Sequence, residues 1–204
     1  QDRARAERLG LDFGKLIIIK PTTIEEAFGE VHTIVETVSA KRPDTLITVA
    51  IDSVAGAPAK AMLEGEYGDS HPAAQAKAVS QAIPKLLPLI IPTRTAVIMV
   101  GQTRTNIAIG PAAYGAKAET QIAEKSLRFY SSLRLEVRKS GIIGDKDKPS
   151  GIESFVSVVK NKTAPPFRTA RFIIDFWRGI DAVASKLDVA QKCGLVIQRG
   201  GWYK

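Results

Sequence analysis

The chain has 204 residues, 45% hydrophobic and 25% charged, which excludes a low-complexity or disordered chain and predicts one α/β domain spanning 1–204. Its formal charge of +8 favours an acidic partner such as nucleic acid, although a merely basic soluble domain is the alternative. One cysteine excludes a disulfide framework, and no apolar run reaches the roughly 20 residues of a membrane span, so cytoplasm is the predicted location.

The first half of the chain alternates predicted strands and helices. The charged stretch 2–8 favours a helix, and the apolar β-branched run Leu16–Ile19 predicts a strand. A capping box, Thr22-x-x-Glu25, begins a predicted helix that ends near Ala40. A strand at 47–52, a helix at 73–86 and a strand at 95–101 follow. This order predicts a mostly parallel central sheet with right-handed crossovers and flanking helices.

The sequence pattern in the second half of the chain predicts antiparallel strands that extend the sheet. Residues 102–125 have no clear period, and a loop of that length is usually functional. Strict alternation from Leu127 to Val137 predicts a long, half-exposed strand. Further strands are predicted at 152–159 and 169–176, and a helix at 180–190 continues more weakly to 197.

Two predicted strands end in polar side chains suited to a nucleotide. Asp52 ends the strand ITVAID beside Ser53, where a carboxylate can hold Mg²⁺ directly or through water. Gln102 follows the next buried strand, and its amide can hydrogen-bond a terminal phosphate. The alternatives are an aspartate that caps a turn and a glutamine on a polar surface. A phosphate loop of the form G-x-x-x-x-G-K-[ST] is absent from the 204 residues.

Two further groups of cations can contact phosphates. Lys160 and Lys162 continue the period-two face of Val156 and Val158, so the sequence predicts a pair that grips an anion, the alternative being solvated lysines. The long loop carries cations with polar and apolar side chains between them, which can neutralise phosphates and contact bases. Its members include Arg104, Asn106, Ile107 and Lys125.

Several stretches in combination resemble the ATPase core of the RecA-type recombinases, bacterial or phage. They are ITVAIDSVAG, EGEYGDSH, Ser80-Gln81-Ala82, MVGQTR, RFYSSLRLEVRK, VVKNKTAPPF and GGWYK, and they lie in the family's order over most of Leu9 to Lys204. The resemblance implies the RecA-like P-loop ATPase fold, with ATP and Mg²⁺ as cofactors. It implies single- and double-stranded DNA as partners, and self-association into a head-to-tail filament for recombination and repair.

The resemblance also implies roles for individual residues. Asp52 is the strand-end acid, and Ser53 beside it contacts the nucleotide. Gln102 is the phosphate sensor, and Phe176 is an aromatic residue that packs near the nucleotide. Lys160 and Lys162 reach the ATP of the neighbouring subunit, and Phe129 lies in a segment that couples the interface to the second loop. The first DNA-binding loop is 64–72 and the second 103–125. The expected DNA-contacting residues are Glu64, Gly65, Gly68, Asp69, Ser70, His71, Lys77, Arg104, Asn106, Ile107 and Lys125.

The chain departs from the family pattern in ways that change the expected activity. By this alignment the phosphate loop and catalytic glutamate would precede Gln1, and the C-terminal regulatory domain would follow Lys204. Pro72 replaces an apolar wedge, and Ala123-Glu124 replaces a glycine pair. We therefore expect the 204 residues alone not to hydrolyse ATP. The alternatives are a non-catalytic DNA-binding relative and a hexameric helicase-type motor that shares the core.

Overall fold

The computed structural model describes residues 3–66, 73–102, 104–105, 119–120 and 124–203. Contacts group the chain into two compact units, one formed by 18–131 and the other by 1–17 with 132–204. The prediction of a single domain stays a prediction. No helix of the described residues is long and apolar enough to cross a membrane.

The elements alternate in the first part of the chain and then become mainly strands. The helices are α1 (Arg3–Arg8), α2 (Ile24–Lys41), α3 (Lys60–Glu64), α4 (Ala74–Ile90), α5 (Glu124–Tyr130) and α6 (Ala182–Lys192). The strands are β1 (Ile47–Asp52), β2 (Thr95–Val100), β3 (Arg104–Thr105), β4 (Glu119–Thr120), β5 (Leu133–Gly144), β6 (Pro149–Asn161), β7 (Thr169–Asp175), β8 (Gly179–Ile180), β9 (Gln198–Arg199) and β10 (Trp202–Tyr203).

The unit 18–131 is built on a parallel pair of strands. β1 pairs with β2 in register from Ile47 opposite Thr95 to Asp52 opposite Val100. The inward side chains of both strands pack against a core supplied mainly by α2 and α4, within which Val35 and Val79 are fully buried. The outward face stays exposed, with Ile98 52% accessible. The predicted α/β class is therefore confirmed, with two parallel strands among the described residues of this unit.

The start of α2 corrects the predicted capping box by one residue. Thr23 is the N-cap, and its Oγ1 accepts a hydrogen bond from the Glu26 amide at 3.1 Å. The Glu26 carboxylate in turn accepts from the Thr22 amide at 2.6 Å. Two overlapping Thr-x-x-Glu patterns exist, and the structure uses the second because Glu25 instead accepts from the Lys60 amide at 2.9 Å.

One predicted strand does not form, and another begins later than predicted. Leu16–Ile19 forms no strand, and Ile17 and Ile18 are exposed without a ladder partner among the described residues. The strand predicted from Leu127 begins only at Leu133, because 124–130 form α5. Leu127 and Tyr130, three residues apart on this helix, both pack against the core, and this packing outweighs the local alternation.

The unit that contains 132–204 holds an antiparallel sheet of order β5-β6-β7-β8. β5 is an edge strand, and its apolar side chains at Leu133, Leu135 and Val137 are 50–59% exposed. α6 begins at an N-cap, Asp181, whose carboxylate accepts from the Val183 and Ala184 amides. The helix ends at Lys192, so the weak helical continuation predicted to residue 197 is wrong.

Candidate nucleotide and nucleic-acid site

Asp52 and Gln102 come from neighbouring strands and reach the same edge of the parallel pair. Asp52 is the last residue of β1 and lies opposite Val100, the last residue of β2. Gln102 follows Val100 by two residues, and both polar residues are exposed. Parallel strands end at a common edge, where α/β proteins bind ligands. The structure thus supplies a carboxylate and an amide to one locus.

The backbone after Asp52 is held against β2. The Val54 amide donates to the Val100 carbonyl at 3.0 Å, and the Gly56 amide donates to the Ser53 carbonyl at 2.8 Å. A Cβ on Gly56 would lie 3.1 Å from the Ser53 carbonyl oxygen, so this tight turn favours glycine. The turn fixes Ser53 beside the carboxylate, where its hydroxyl can contact the same ligand.

The donor set at this edge fits Mg²⁺ only when phosphate oxygens complete the coordination. Among the described residues, no group of three or more His, Cys, Asp or Glu side chains could hold a metal by itself. Mg²⁺ with nucleotides commonly uses one or two carboxylates together with phosphates and water. Asp52 is therefore suited to be the single protein ligand of Mg²⁺. That it binds Mg²⁺ stays a prediction.

Lys160 and Lys162 lie at the end of β6 beside the start of β5. The Lys162 amide donates to the Ser132 carbonyl at 2.9 Å, which ties the two strands together. Asn161, between the lysines, accepts from the Thr163 and Ala164 amides and so fixes the following turn. The lysines are thus presented from an anchored hairpin end.

A bulge changes the face on which the lysine pair was predicted. Leu135 pairs with Val158, whereas Arg134 pairs with Lys160, so Val159 is an extra residue in β6. The expected unbroken face of Val156, Val158 and both lysines is wrong, because a β-bulge interrupts the period of two. The bulge places Lys160 directly opposite another cation, Arg134.

The charges of Lys162 and Arg134 both act on Lys160. The pKa of Lys160 is lowered from its ordinary value first by desolvation, then by the Lys162 charge and then by the Arg134 charge. Grouped cations favour the binding of an anion, since the anion's charge relieves their mutual repulsion. Arg134 was not among the predicted site residues, and only the cross-strand register identifies it.

Phe176 follows β7 at the surface, 38% exposed. Its amide donates to the Ser150 carbonyl at 3.0 Å, and Asp175 before it accepts from the Trp177 and Arg178 amides. The backbone is therefore fixed while the ring remains available. Its contact with a nucleotide stays a prediction.

The first predicted DNA loop is described only at its two ends. Glu64 ends α3 and pairs with Lys60 at 3.6 Å, and Gly65 follows it. Lys77 is exposed in the first turn of α4 after the left-handed Ala73. The remaining predicted contacts of this loop lie outside the described residues: Gly68, Asp69, Ser70 and His71.

The second predicted DNA loop leaves and returns through a short antiparallel ladder. Arg104 pairs with Thr120, and Thr105 pairs with Glu119. Lys125 is exposed at the start of α5. Asn106 and Ile107 lie outside the described residues.

A hydrogen bond that no sequence pattern predicts joins the helices that follow the two loops. Ser126 of α5 donates to Ser80 of α4 at 2.6 Å, and Ser80 donates to the Ala76 carbonyl at 2.6 Å. Phe129, in the same helix as Ser126, is 72% exposed and stacks edge-to-face on Tyr130. The exposed ring suits the predicted interface segment, although that role stays a prediction.

Comparisons with known proteins agree on one family. The model of the RecA N-terminal domain matches residues 1–181. Protein RecA of Acidiphilium cryptum is 38% identical over 202 residues, covering 99% of this chain and 56% of the relative. Protein RecA of Thermus aquaticus is 39% identical over 203 residues, covering 99% and 57%. The chain therefore spans about half the length of these relatives. The RadB recombinase crystal structure has 17% identity and a TM-score of 0.47, covering 86% of this chain and 69% of that one.

Proposed function

This chain belongs to the RecA family, and on that premise we propose that it is the part of a DNA recombinase that supplies the magnesium-binding acid, the phosphate sensor and the DNA-binding loops. The observation that carries the proposal is the shared edge of β1 and β2. There Asp52 and Gln102 come from adjacent strand ends. The predicted cytoplasmic location accompanies the proposal as a prediction.

The two polar groups have complementary tasks at a triphosphate. Asp52 holds Mg²⁺ directly or through water, and Ser53 contacts the same phosphate region. The Gln102 amide binds the terminal phosphate without adding charge, and β3 begins two residues later at Arg104. A phosphate contact at Gln102 therefore biases the backbone that leads into the second DNA loop.

The cations at the hairpin end complete the nucleotide site from another subunit. Lys160 and Lys162 bind the phosphates of ATP held by a neighbouring protomer, and Phe176 packs near that nucleotide. The surface that carries the two lysines differs from the surface that holds the ATP. The contact between subunits is therefore heterologous and builds an open head-to-tail filament. Nucleotide at each interface then controls assembly on DNA.

The DNA-binding surface comprises the two loops and their flanking cations. Lys77, Arg104 and Lys125 neutralise phosphates, while the segment 106–118 contacts bases of a single strand. Among these cations, Lys77 and Lys125 are exposed, and the antiparallel ladder of β3 and β4 holds the ends of the second segment together. Pairing of this strand with a duplex gives homologous strand exchange.

The test joins the 204-residue chain to a phosphate-loop segment from Thermus aquaticus RecA. Joint molecules between circular single strands and linear duplex are measured with ATP and Mg²⁺. We expect joint molecules from the joined protein, and at least a tenfold loss in Asp52→Asn and in Gln102→Ala. An Asp44→Asn variant is the control, because Asp44 is an exposed acid before β1. Full exchange by Asp52→Asn would contradict the proposal.

A second candidate is a DNA-binding relative without catalysis, for which the formal charge of +8 is sufficient. It predicts that the 204-residue chain binds single-stranded DNA with an affinity that falls steeply with salt and does not respond to ATP. Nucleotide-independent binding together with failure of the joined protein to exchange strands would favour this candidate. A closed ring in electron micrographs would instead favour a helicase-type motor.

A further inference from the structure

The helix that carries Lys77 begins without a capping side chain. Its N-cap is Ala73, which has a left-handed backbone with a φ of 62° and makes no side-chain hydrogen bond. Alanine is one of the poorest N-cap residues, and a left-handed conformation costs free energy in a residue that has a Cβ atom. The start of α4 therefore depends on another contact to hold it.

Gln75, in the first turn of α4, supplies such a contact. Its Nε2 donates to the Ala57 carbonyl at 2.9 Å, and this hydrogen bond is part-buried. Lys77 lies two residues later, and its amide closes the first helical turn by donating to the Ala73 carbonyl at 2.8 Å. Residues two apart do not share a face of a helix, so Gln75 reaches its acceptor while Lys77 is exposed.

The acceptor of this hydrogen bond belongs to a segment that is itself anchored. Ala57 lies between Asp52, the last residue of β1, and the start of α3. Pro58, next to it, accepts from the Ile24 amide at 3.0 Å, which ties the segment to α2. Ala59 is only 1% exposed and belongs to the core. The start of α4 is thus tied to a fixed backbone that continues directly from the strand-end carboxylate.

We propose that Gln75 is a positioning residue for DNA binding, which joins the start of α4, and with it Lys77, to the segment that follows Asp52. The inference rests on the proposed function, in which Lys77 neutralises a DNA phosphate and Asp52 binds Mg²⁺. A cation on a fixed backbone loses less conformational entropy when it contacts a phosphate, so an anchored first turn strengthens that contact. The hydrogen bond also links the first DNA-binding segment to the magnesium-binding edge by a route that does not include Gln102.

The first test measures the anchor itself, by amide hydrogen exchange of the 204-residue chain followed by NMR. Gln75→Met keeps the length of the side chain and removes the donor. Loss of one hydrogen bond predicts that the Lys77 amide exchanges roughly threefold to tenfold faster. Gln81→Met is the matched control, because Gln81 lies in the same helix, is exposed and makes no side-chain hydrogen bond within the described part of the chain. The Arg42 amide, which donates to the Val38 carbonyl at the end of α2, should exchange at the wild-type rate in both variants.

A second readout tests the role in DNA binding and separates it from a merely structural role. The affinity for a fluorescein-labelled single-stranded thymidine oligonucleotide is measured by fluorescence anisotropy at fixed salt concentration. Gln75→Met should weaken binding roughly twofold to fivefold, because one phosphate contact is less well fixed. In a Lys77→Gln background the same substitution should have no further effect, since Gln75 acts through Lys77. A merely structural role would weaken binding equally in both backgrounds.

The outcomes distinguish this proposal from the broader one. Weaker oligonucleotide binding in Lys77→Gln, with wild-type binding in Gln75→Met, would overturn the role of Gln75 and leave the proposed DNA-binding surface intact. Lys77 amide exchange that is unchanged in both Gln75→Met and Gln81→Met would overturn the anchor. Equal weakening by Gln75→Met with and without Lys77→Gln would also overturn the positioning role. Absence of oligonucleotide binding by the wild-type chain would overturn the DNA role of Gln75, whereas strand exchange by the joined protein tests the proposed function separately.

Discussion

The hydrogen bond between Ser126 and Ser80 should measurably couple α5 to α4. Ser126→Ala removes one part-buried hydrogen bond of 2.6 Å and leaves Ser80 bonded to the Ala76 carbonyl. Its expected cost is about 1 kcal/mol. Ser80→Ala removes both bonds and leaves the Ser126 hydroxyl without this acceptor, so its expected cost is about 2 kcal/mol.

The double variant isolates the shared bond. We expect the cost of Ser80→Ala with Ser126→Ala to fall short of the sum of the two single costs by roughly 0.5–1 kcal/mol. Helix propensity changes cancel in this cycle because each alanine appears once with and once without its partner. The measured quantity is the free energy of unfolding of the 204-residue chain in urea, followed by circular dichroism.

A matched serine provides the control. Ser185 of α6 donates to the carbonyl of Asp181, four residues earlier, at 2.8 Å, as Ser80 does to Ala76, but within the described part of the chain it makes no hydrogen bond to a second helix. Ser185→Ala combined with Ser126→Ala should therefore be additive within about 0.3 kcal/mol. A coupling between Ser80 and Ser126 that is equally close to zero would refute the hydrogen bond as the link between the helices.

Three further predictions concern stability. Thr23→Ala should lower the free energy of unfolding by about 1 kcal/mol through loss of the N-cap, whereas Thr22→Ala should change it little because only the Thr22 amide is used. Equal losses of stability in Thr23→Ala and Thr22→Ala would contradict the assignment of Thr23 as the N-cap. Val35 is fully buried, so Val35→Ala should lower the free energy of unfolding in urea by about 2 kcal/mol. Val183 is 77% exposed, so Val183→Ala should change it little. A larger loss in Val183→Ala than in Val35→Ala would contradict the assignment of Val35 to the core. Asp175 has a pKa lowered below 3.8 by the Arg178 and then the Trp177 amide, so its stabilising contribution is present above about pH 4 and is lost as pH falls through the folded pKa. The melting-temperature difference between wild type and Asp175→Asn should accordingly shrink on acidification from pH 5 to pH 2, and a constant difference would contradict this.

Local sequence signals predicted the elements whose patterns are unambiguous. The apolar run ending in Asp52 predicted β1 at its observed bounds, because its β-branched side chains favour a strand and the acid ends the run. Helix α4 was also predicted, and it continues beyond Pro84 to Ile90. Asp52 and Gln102 were each predicted at the end of a buried strand, and the structure shows that these two strands are neighbours.

Features that depend on tertiary contacts could not be predicted from the sequence. Leu127 fits an alternating strand pattern as well as a helix, and only packing of α5 on the core decides between them. The bulge at Val159 leaves no mark in the composition of β6, so Arg134 could not be placed opposite Lys160. The roles of individual site residues remain predictions because they depend on ligands.

The most direct test of the central claim is a double-mutant cycle at the shared strand edge. ATP turnover on single-stranded DNA is measured for the joined protein and for Asp52→Asn, Gln102→Ala and the double variant. If both groups act on one triphosphate, their losses combine less than additively, with a coupling of at least about 0.5 kcal/mol. Strictly additive losses, or turnover unchanged by either substitution, would contradict the account.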